Sequence, residues 1–363
     1  MTGSALAGSE EWIRHVLATH WGGTWGERAL RPLTVAGTAP LTHTAGLWTV
    51  DGPEGEHVMK VQLNRDAVRA ERFDTLKNRI LTHCRLRGVP TLPVIPAVDG
   101  RPGVRHDGLA CELSPRSAGS AVTAGSEEHA AAIVRAGLDL REALDAVPPG
   151  VAEELATVRL PTLVEEERWP AALDDAETRL LPKAEGGAGH WHRAAATALR
   201  QLAAAAPLLR RTSSSVTGPE AARGRAVVHG DLHLQHFLLA PRGPARVEAV
   251  LDFDNLHVND RLLDLAWLAD TAVCASGEED PAGARAAIGH FLAEARGRGL
   301  LAPGEKERLM PLLMAHSLPV VVDIAKDILE RGIFSPQWLE YFALLSPGRR
   351  LAVHRLLVAA PDF

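Results

Sequence analysis

Residues 227–270, VVHGDLHLQHFLLAPRGPARVEAVLDFDNLHVNDRLLDLAWLAD, constrain the fold more than any other stretch of this chain. A short apolar strand at 226–228 runs into His229-Gly230-Asp231, and 237–239 resume as strand. After the turn APRGPA, a further strand at 247–251 ends in Asp252-Phe253-Asp254. Acidic groups thus stand at the ends of short neighbouring strands, about twenty residues apart. Taken singly, Asp231 reads as a turn residue and Asp252 as a helix cap, since Asp is common in both roles. The ordered string of His, Gly, Asp, His and Asp between apolar strands reads instead as a site. Phosphoryl transfer needs two carboxylates placed in this way. One accepts or orients the proton of the attacking hydroxyl, and the other holds a divalent cation against the phosphates.

The rest of the chain divides by pattern. Residues 10–20 have helical spacing, with Trp12, Ile13, Val16 and Leu17 on one face. Strands are expected at 30–35, 47–50 and 57–63, then a helix over 66–88, then strands at 93–98 and 108–113 around the turn DGRPG. From residue 114 onward helices dominate. They are expected at 126–147, 161–181, 189–211, 261–274, 282–298, 304–331 and 335–345, with 212–224 a polar loop. The pattern is α+β, with a strand-rich domain 1–113 and a helical domain 114–363.

Charge and cysteine usage narrow the partners. Lys and Arg total 39 against 45 Asp and Glu, a formal charge of -6, which argues against nucleic acid or an anionic membrane surface. The balance suits a positively charged substrate, although solubility alone explains it as well. Cys84, Cys111 and Cys274 are far apart and lack metal-site spacing, as expected in a reducing compartment. Charged residues near the N-terminus (Glu10, Glu11, Arg14) stand where a signal peptide needs an apolar run, and no stretch reaches membrane-span length. A cytoplasmic protein is expected.

The 227–270 string resembles the HGDLHxxN…IDF/W…D…DLA pattern of the aminoglycoside phosphotransferase and choline kinase family, which has a bilobal protein-kinase-like fold. His229 to His233 fall on the first block, Asp252-Phe253 on the second, and Asp260 with Asp264-Leu265-Ala266 on the third. The resemblance implies Asp231 as catalytic base, Asp252 as the Mg²⁺ ligand and Asp264 as a buttress of the catalytic loop. It further implies Lys60 as the lysine that holds nucleotide phosphates, with Glu71 as its ion-pair partner and Asp74 as the other acid on that helix. Thr38, Thr42, His43 and Thr44 lie in the phosphate-covering turn, which lacks GxGxxG. Cys111, Glu112 and Leu113 fall at the hinge beside the base. The helix ending LREALDAVPPG also resembles a family phrase, so the likeness spans roughly residues 30–270. It implies ATP or GTP as donor, a small and possibly cationic hydroxylated acceptor, and a cytoplasmic enzyme of resistance or biosynthesis.

Two departures leave alternatives open. Five residues beyond Asp231 the family carries Asn as a second metal ligand, and here stands His236, preceded by Gln235. Either His236 binds the metal, which favours Mn²⁺, or Gln235 reaches it, or water fills the place. Asp254 stands beside the metal position and reads equally as a substrate-facing acid and as a cap. For the acceptor, candidate acids are Asp254, Asp260, Asp323 and Asp327, with Glu165-Glu166-Glu167 and Asp174-Asp175. Asp323 and Asp327 are four apart on one helix face, where like charges favour a cation. Trp169, Trp191, Trp267 and Trp338 read first as core. The leading function is a kinase for an aminoglycoside, amino sugar or related metabolite. The alternatives are a non-catalytic kinase-fold regulator and a homoserine- or choline-type kinase.

Overall fold

The computed structural model describes residues 7–34, 44–160, 168–217, 224–277 and 280–361, without the side chains of 213–217. The chain forms two compact units. One comprises Met1–Val122, Glu142–Thr162 and Gln235–Val258, and the other Thr123–Arg141, Leu163–Leu234 and Asn259–Phe363. Segments 142–162 and 235–258, which the sequence division groups with the helical part, thus pack with the strand-rich part.

The first unit is built on a five-stranded antiparallel sheet of order β1-β2-β3-β5-β4. Its strands are β1 (Leu30–Pro32), β2 (Ala45–Gly52), β3 (Gly55–Gln62), β4 (Val104–His106) and β5 (Leu109–Pro115). Alternation along β3 and β5 sends Met59, Val61, Cys111 and Leu113 into a core with Trp12, Ile13, Val16 and Leu17 of the helix Glu10–His20. Lys60 and Glu112, directly opposite each other in the register, point to the other face. Further along the chain, β7 (Phe237–Leu239) and β8 (Val247–Val250) form a small antiparallel pair in this unit.

Several boundaries differ from expectation. No strand forms at 93–98. Pro93 and Pro96 carry no N–H for a ladder, so the segment is held by single bonds, Ile95 N–H to the Leu113 carbonyl and Trp21 Nε1–H to the Ile95 carbonyl. The fourth strand is Val104–His106 instead. The helix expected over 66–88 spans Glu71–Leu86 after a short 3-10 turn. Two further helices, Pro149–Ala156 and Pro347–Ala359, begin where proline reads as a terminator, because proline is equally suited to the first helical turn. Residues 161–167 lie outside the described residues, and the helix expected there is described from Trp169 onward.

The second unit is helical. Its centre is Leu262–Ser276, apolar around almost its whole circumference and buried accordingly. The helices Pro281–Gly297, Lys306–Lys326 and Pro347–Ala359 pack against it, and His190–Thr217 packs on Lys306–Lys326 and Pro347–Ala359. His190–Thr217 runs into the expected polar loop, whose residues 218–223 lie outside the described residues.

Candidate active site

In the first unit, the Lys60 face of the sheet carries a row of alternating charges. Lys60 Nζ lies 2.8 Å from Asp252 Oδ1 and 2.8 Å from Asp254 Oδ2. Lys77 Nζ lies 2.7 Å from Asp254 Oδ1 and 2.6 Å from Glu112 Oε2. Asp252, Lys60, Asp254, Lys77 and Glu112 therefore form one continuous chain of ion pairs. Burial by itself lowers a lysine pKa, but Asp252 and Asp254 outweigh it and hold Lys60 above its usual range; Asp254 and Glu112 do the same for Lys77. Burial likewise opposes ionisation of Asp254, and the two lysines overcome it, leaving its pKa below the ordinary carboxylate range. For Glu112 burial prevails over Lys77, and its pKa is raised.

The loop after β8 is shaped to make these contacts. Asp252 adopts a left-handed backbone (φ 60°, ψ 66°), which Asp tolerates better than most side chains, and Phe253 tucks into the interior. Arg69 clamps the far side of the loop, donating from Nη1 to the carbonyls of Asp254 (3.1 Å) and Leu256 (2.7 Å). Its burial, only partly offset by Asp254, lowers its pKa to about 10. His236, also in this unit, places Nε2 3.8 Å from Asp252 Oδ2.

In the second unit, β6 (Arg225–Val228) leads into His229-Gly230-Asp231. Gly230 takes φ 81°, a backbone open to glycine at little cost. The turn aims two successive amides at one buried carboxylate. His229 N–H donates to Asp264 Oδ2 and Gly230 N–H to Asp264 Oδ1, both at 2.9 Å, and Arg141 Nη1 donates to Oδ2 at 2.8 Å. Arg141 also donates to the Val227 carbonyl. The Asp231 carboxylate remains 27% exposed, with His233 Nε2 4.0 Å away, and the Asp231 carbonyl accepts from His233 N–H. The loop thus fixes its backbone through Asp264 around a partly exposed Asp231 carboxylate.

Other expected site residues are placed elsewhere. Glu71 is exposed and pairs with Arg101, not Lys60, because it sits at the outer start of its helix, where the lysine does not reach. Asp74 pairs with Arg105. The acids that meet Lys60 come from the 252–254 loop. Cys111 and Leu113 turn their side chains into the core; Cys111 is flanked by β3 and β4, and the Leu113 carbonyl is taken by Ile95. Burial pushes the Cys111 thiol up to about 12. Of the hinge trio only Glu112 shares the face of Lys60. The Thr44 carbonyl accepts from Leu63 and Asn64 N–H, while Thr38, Thr42 and His43 lie outside the described residues, as do Glu165 to Glu167.

The acceptor candidates are also engaged. Asp254, partly exposed, bonds two lysines, and buried Asp260 pairs with Arg308 and caps Leu262 N–H. Asp323 stands 3.6 Å from Arg168, and Asp327 pairs with Arg331. Trp169 and Trp267 are core, whereas Trp191 stacks on exposed Phe334. Sequence reasoning passed over Lys77 and Arg141. A signal existed for Lys77: it lies four residues after Phe73 and three before Ile80, inside the apolar stripe of its helix.

The sequence model of the phosphotransferase enzyme family (APH) matches residues 48–300, more than half of the chain. The chain belongs to this family. No curated protein matches it in sequence, but solved structures share the fold. Spectinomycin phosphotransferase in complex with ADP and spectinomycin is 11% identical, at TM-score 0.64 over 96% of this chain and 97% of that one. A microcompartment-associated aminopropanol kinase is 18% identical, at TM-score 0.62 over 96% and 98%. An ethanolamine kinase of Plasmodium vivax is 11% identical, at TM-score 0.51 over 95% and 88%. This member of the phosphotransferase family is accordingly a small-molecule kinase acting on hydroxyl groups, with the protein-kinase-like fold. Among its described residues no helix is long and apolar enough to cross a membrane.

Proposed function

We propose that the enzyme transfers the γ-phosphoryl group of ATP or GTP to a hydroxyl of an aminoglycoside, amino sugar or related amino-bearing metabolite. The observation that carries this reading is Lys60 held 2.8 Å from both Asp252 and Asp254. A lysine so placed is a pre-oriented cation for phosphate oxygens, and ligand phosphates compete with the carboxylates for it. Asp254, kept by Lys77, retains Lys60 when Asp252 turns to another partner. Asp231 accepts the proton of the attacking hydroxyl, its backbone fixed through Asp264.

Magnesium fits the donor set. Asp252 and Asp254 supply carboxylate oxygens, which a hard divalent cation prefers, and His236 adds a nitrogen that suits Mn²⁺ better. We assign Asp252 as the principal ligand. When bound, the ion neutralises phosphate charge that otherwise repels the nucleophile.

A second reading has a smaller amino alcohol as acceptor, of the homoserine, choline or aminopropanol type, and is favoured by the likeness to the aminopropanol and ethanolamine kinases. A phosphoryl-transfer panel separates the two. ATP and GTP are offered with Mg²⁺ or Mn²⁺ to aminoglycosides including spectinomycin, amino sugars, choline, ethanolamine, aminopropanol and homoserine. Product from aminoglycosides or amino sugars that vanishes in Asp231→Asn supports the first reading. Turnover confined to the amino alcohols supports the second, and full activity in Asp231→Asn refutes the assignment of the base.

A further inference from the structure

Three residues on one face of the helix Leu262–Ser276 hold the loop around Asp231. Asp264 takes the amides of His229 and Gly230, as above. Trp267 Nε1–H donates to the Gly230 carbonyl at 3.1 Å, and Thr271 Oγ1 donates to the Leu232 carbonyl at 2.7 Å. The spacings of three and four residues place all three side chains on that face. Both carbonyls that flank Asp231 are thus gripped by one helix.

The indole that makes the first of these bonds is itself pinned from behind. The guanidinium of Arg350 lies over the Trp267 ring, 4.8 Å from its centroid. Arg350 belongs to the helix Pro347–Ala359, beyond the segment that the family model matches. It is fully buried, bonds Asp270 at 3.3 Å from Nε and Ser317 from Nη1, and leaves Nη2 buried without a partner. A buried cation with an unsatisfied N–H costs stability. Each of its partners keeps another bond without it. Asp270 is held at both oxygens by Arg349, at 3.0 and 3.1 Å, and Ser317 Oγ also bonds the Leu313 carbonyl. What the guanidinium alone brings to the indole, and an apolar side chain of similar length lacks, is its cation–π contact.

We propose that Arg350 and Trp267 are positioning residues for the catalytic loop: the guanidinium fixes the indole plane, and the indole N–H fixes the Gly230–Asp231 peptide, so that the C-terminal helix governs how Asp231 is presented. The catalytic part of this proposal rests on Asp231 as the base; the structural part does not.

The full chain with Arg350→Met, Arg350→Lys or Trp267→Phe tests it. Hydrogen exchange is read at residues 229–233, urea unfolding gives global stability, and kcat and KM for ATP are read from phosphate release in Mg²⁺, with water as acceptor. Phe keeps a ring beneath the cation and removes only the donor, so loop exchange rises about fivefold, the worth of one neutral hydrogen bond. Arg350→Met raises it roughly three- to tenfold, with urea stability unchanged, and Arg350→Lys restores part of the protection. In both loosened variants kcat falls by a similar factor while KM for ATP holds. Unchanged loop exchange overturns the proposal, and so does a rise spread over the whole unit with lower urea stability, which marks a core residue and nothing more. Faster loop exchange with unchanged kcat overturns the positioning claim, whereas an Asp231→Asn control that retains full kcat removes the base and leaves the exchange result standing.

Discussion

Removing the Asp264 carboxylate should injure this protein more than any other single loss of charge in its second unit. Asp264 is 1% exposed and accepts three hydrogen bonds, two from successive loop amides and one from Arg141, which is equally buried. In Asp264→Ala the Arg141 guanidinium keeps the Val227 carbonyl but loses its counter-charge, and two amides lose their acceptor. Breaking a buried ion pair from one side costs about 3–5 kcal/mol, mostly the penalty of the charge left behind. At about 2–4 °C per kcal/mol for a unit of this size, the melting temperature should fall by roughly 10 °C. Asp264→Asn should cost somewhat less, since one oxygen still accepts while the new NH₂ group meets another donor. Differential scanning calorimetry with urea unfolding reads the change. Arg141→Leu supplies the second leg of a double-mutant cycle, and the double variant should recover part of the loss, because the orphaned charge is gone while the amides stay unpaired. An Asp264→Ala variant melting within about 2 °C of wild type, or a cycle without coupling, refutes the clamp.

Three further outcomes are expected. Lys77→Met strands Glu112 and weakens the hold on Asp254, so stability should drop by about 2–3 kcal/mol; adding Glu112→Gln should recover part of it in urea melts. Asp270 is ionised against the penalty of burial by Arg349 and Arg350, and its pKa is lowered. Its stabilising share is therefore complete above the ordinary Asp value of about 3.9 and is lost as pH falls through the lower folded value. The stability gap between wild type and Asp270→Asn should be level from neutral to mildly acidic pH and close only below that range. Asp252→Asn should lower phosphoryl transfer by about a hundredfold or more and raise the Mg²⁺ concentration needed for half activity; a variant with a wild-type metal titration contradicts the assignment.

Much of the candidate site was legible because its elements are local. The order His229, Gly230, Asp231 requires a tight turn out of a strand, and Asp252-Phe253-Asp254 ends another, so strand pattern and turn chemistry place both acids at loop positions without any knowledge of packing. Lys60 stood out for a related reason, as a charge in the middle of an apolar alternation. The partner of Lys60 was not legible. A helix acid was expected, and Glu71 and Asp74 were available at the right spacing. Both instead meet arginines near at hand, Arg101 and Arg105, while the acids for Lys60 arrive from a loop some 190 residues away in the chain. Ion pairing depends on distance in space, and helical periodicity says only which way a side chain faces.

The same division holds for the molecule as a whole. Composition and periodicity indicated strands early in the chain and helices later, the turns at His229-Gly230-Asp231 and Asp252-Phe253-Asp254, and the lack of a span-length apolar run in the sequence, because each depends on residues within one element or one turn. Only the tertiary structure decided which charges neutralise one another, that segments 142–162 and 235–258 pack with the sheet unit, and that Arg350 reaches Trp267 behind the loop. Those choices are made by burial, which brings remote residues together and lets a buried charge survive only beside a partner of opposite sign.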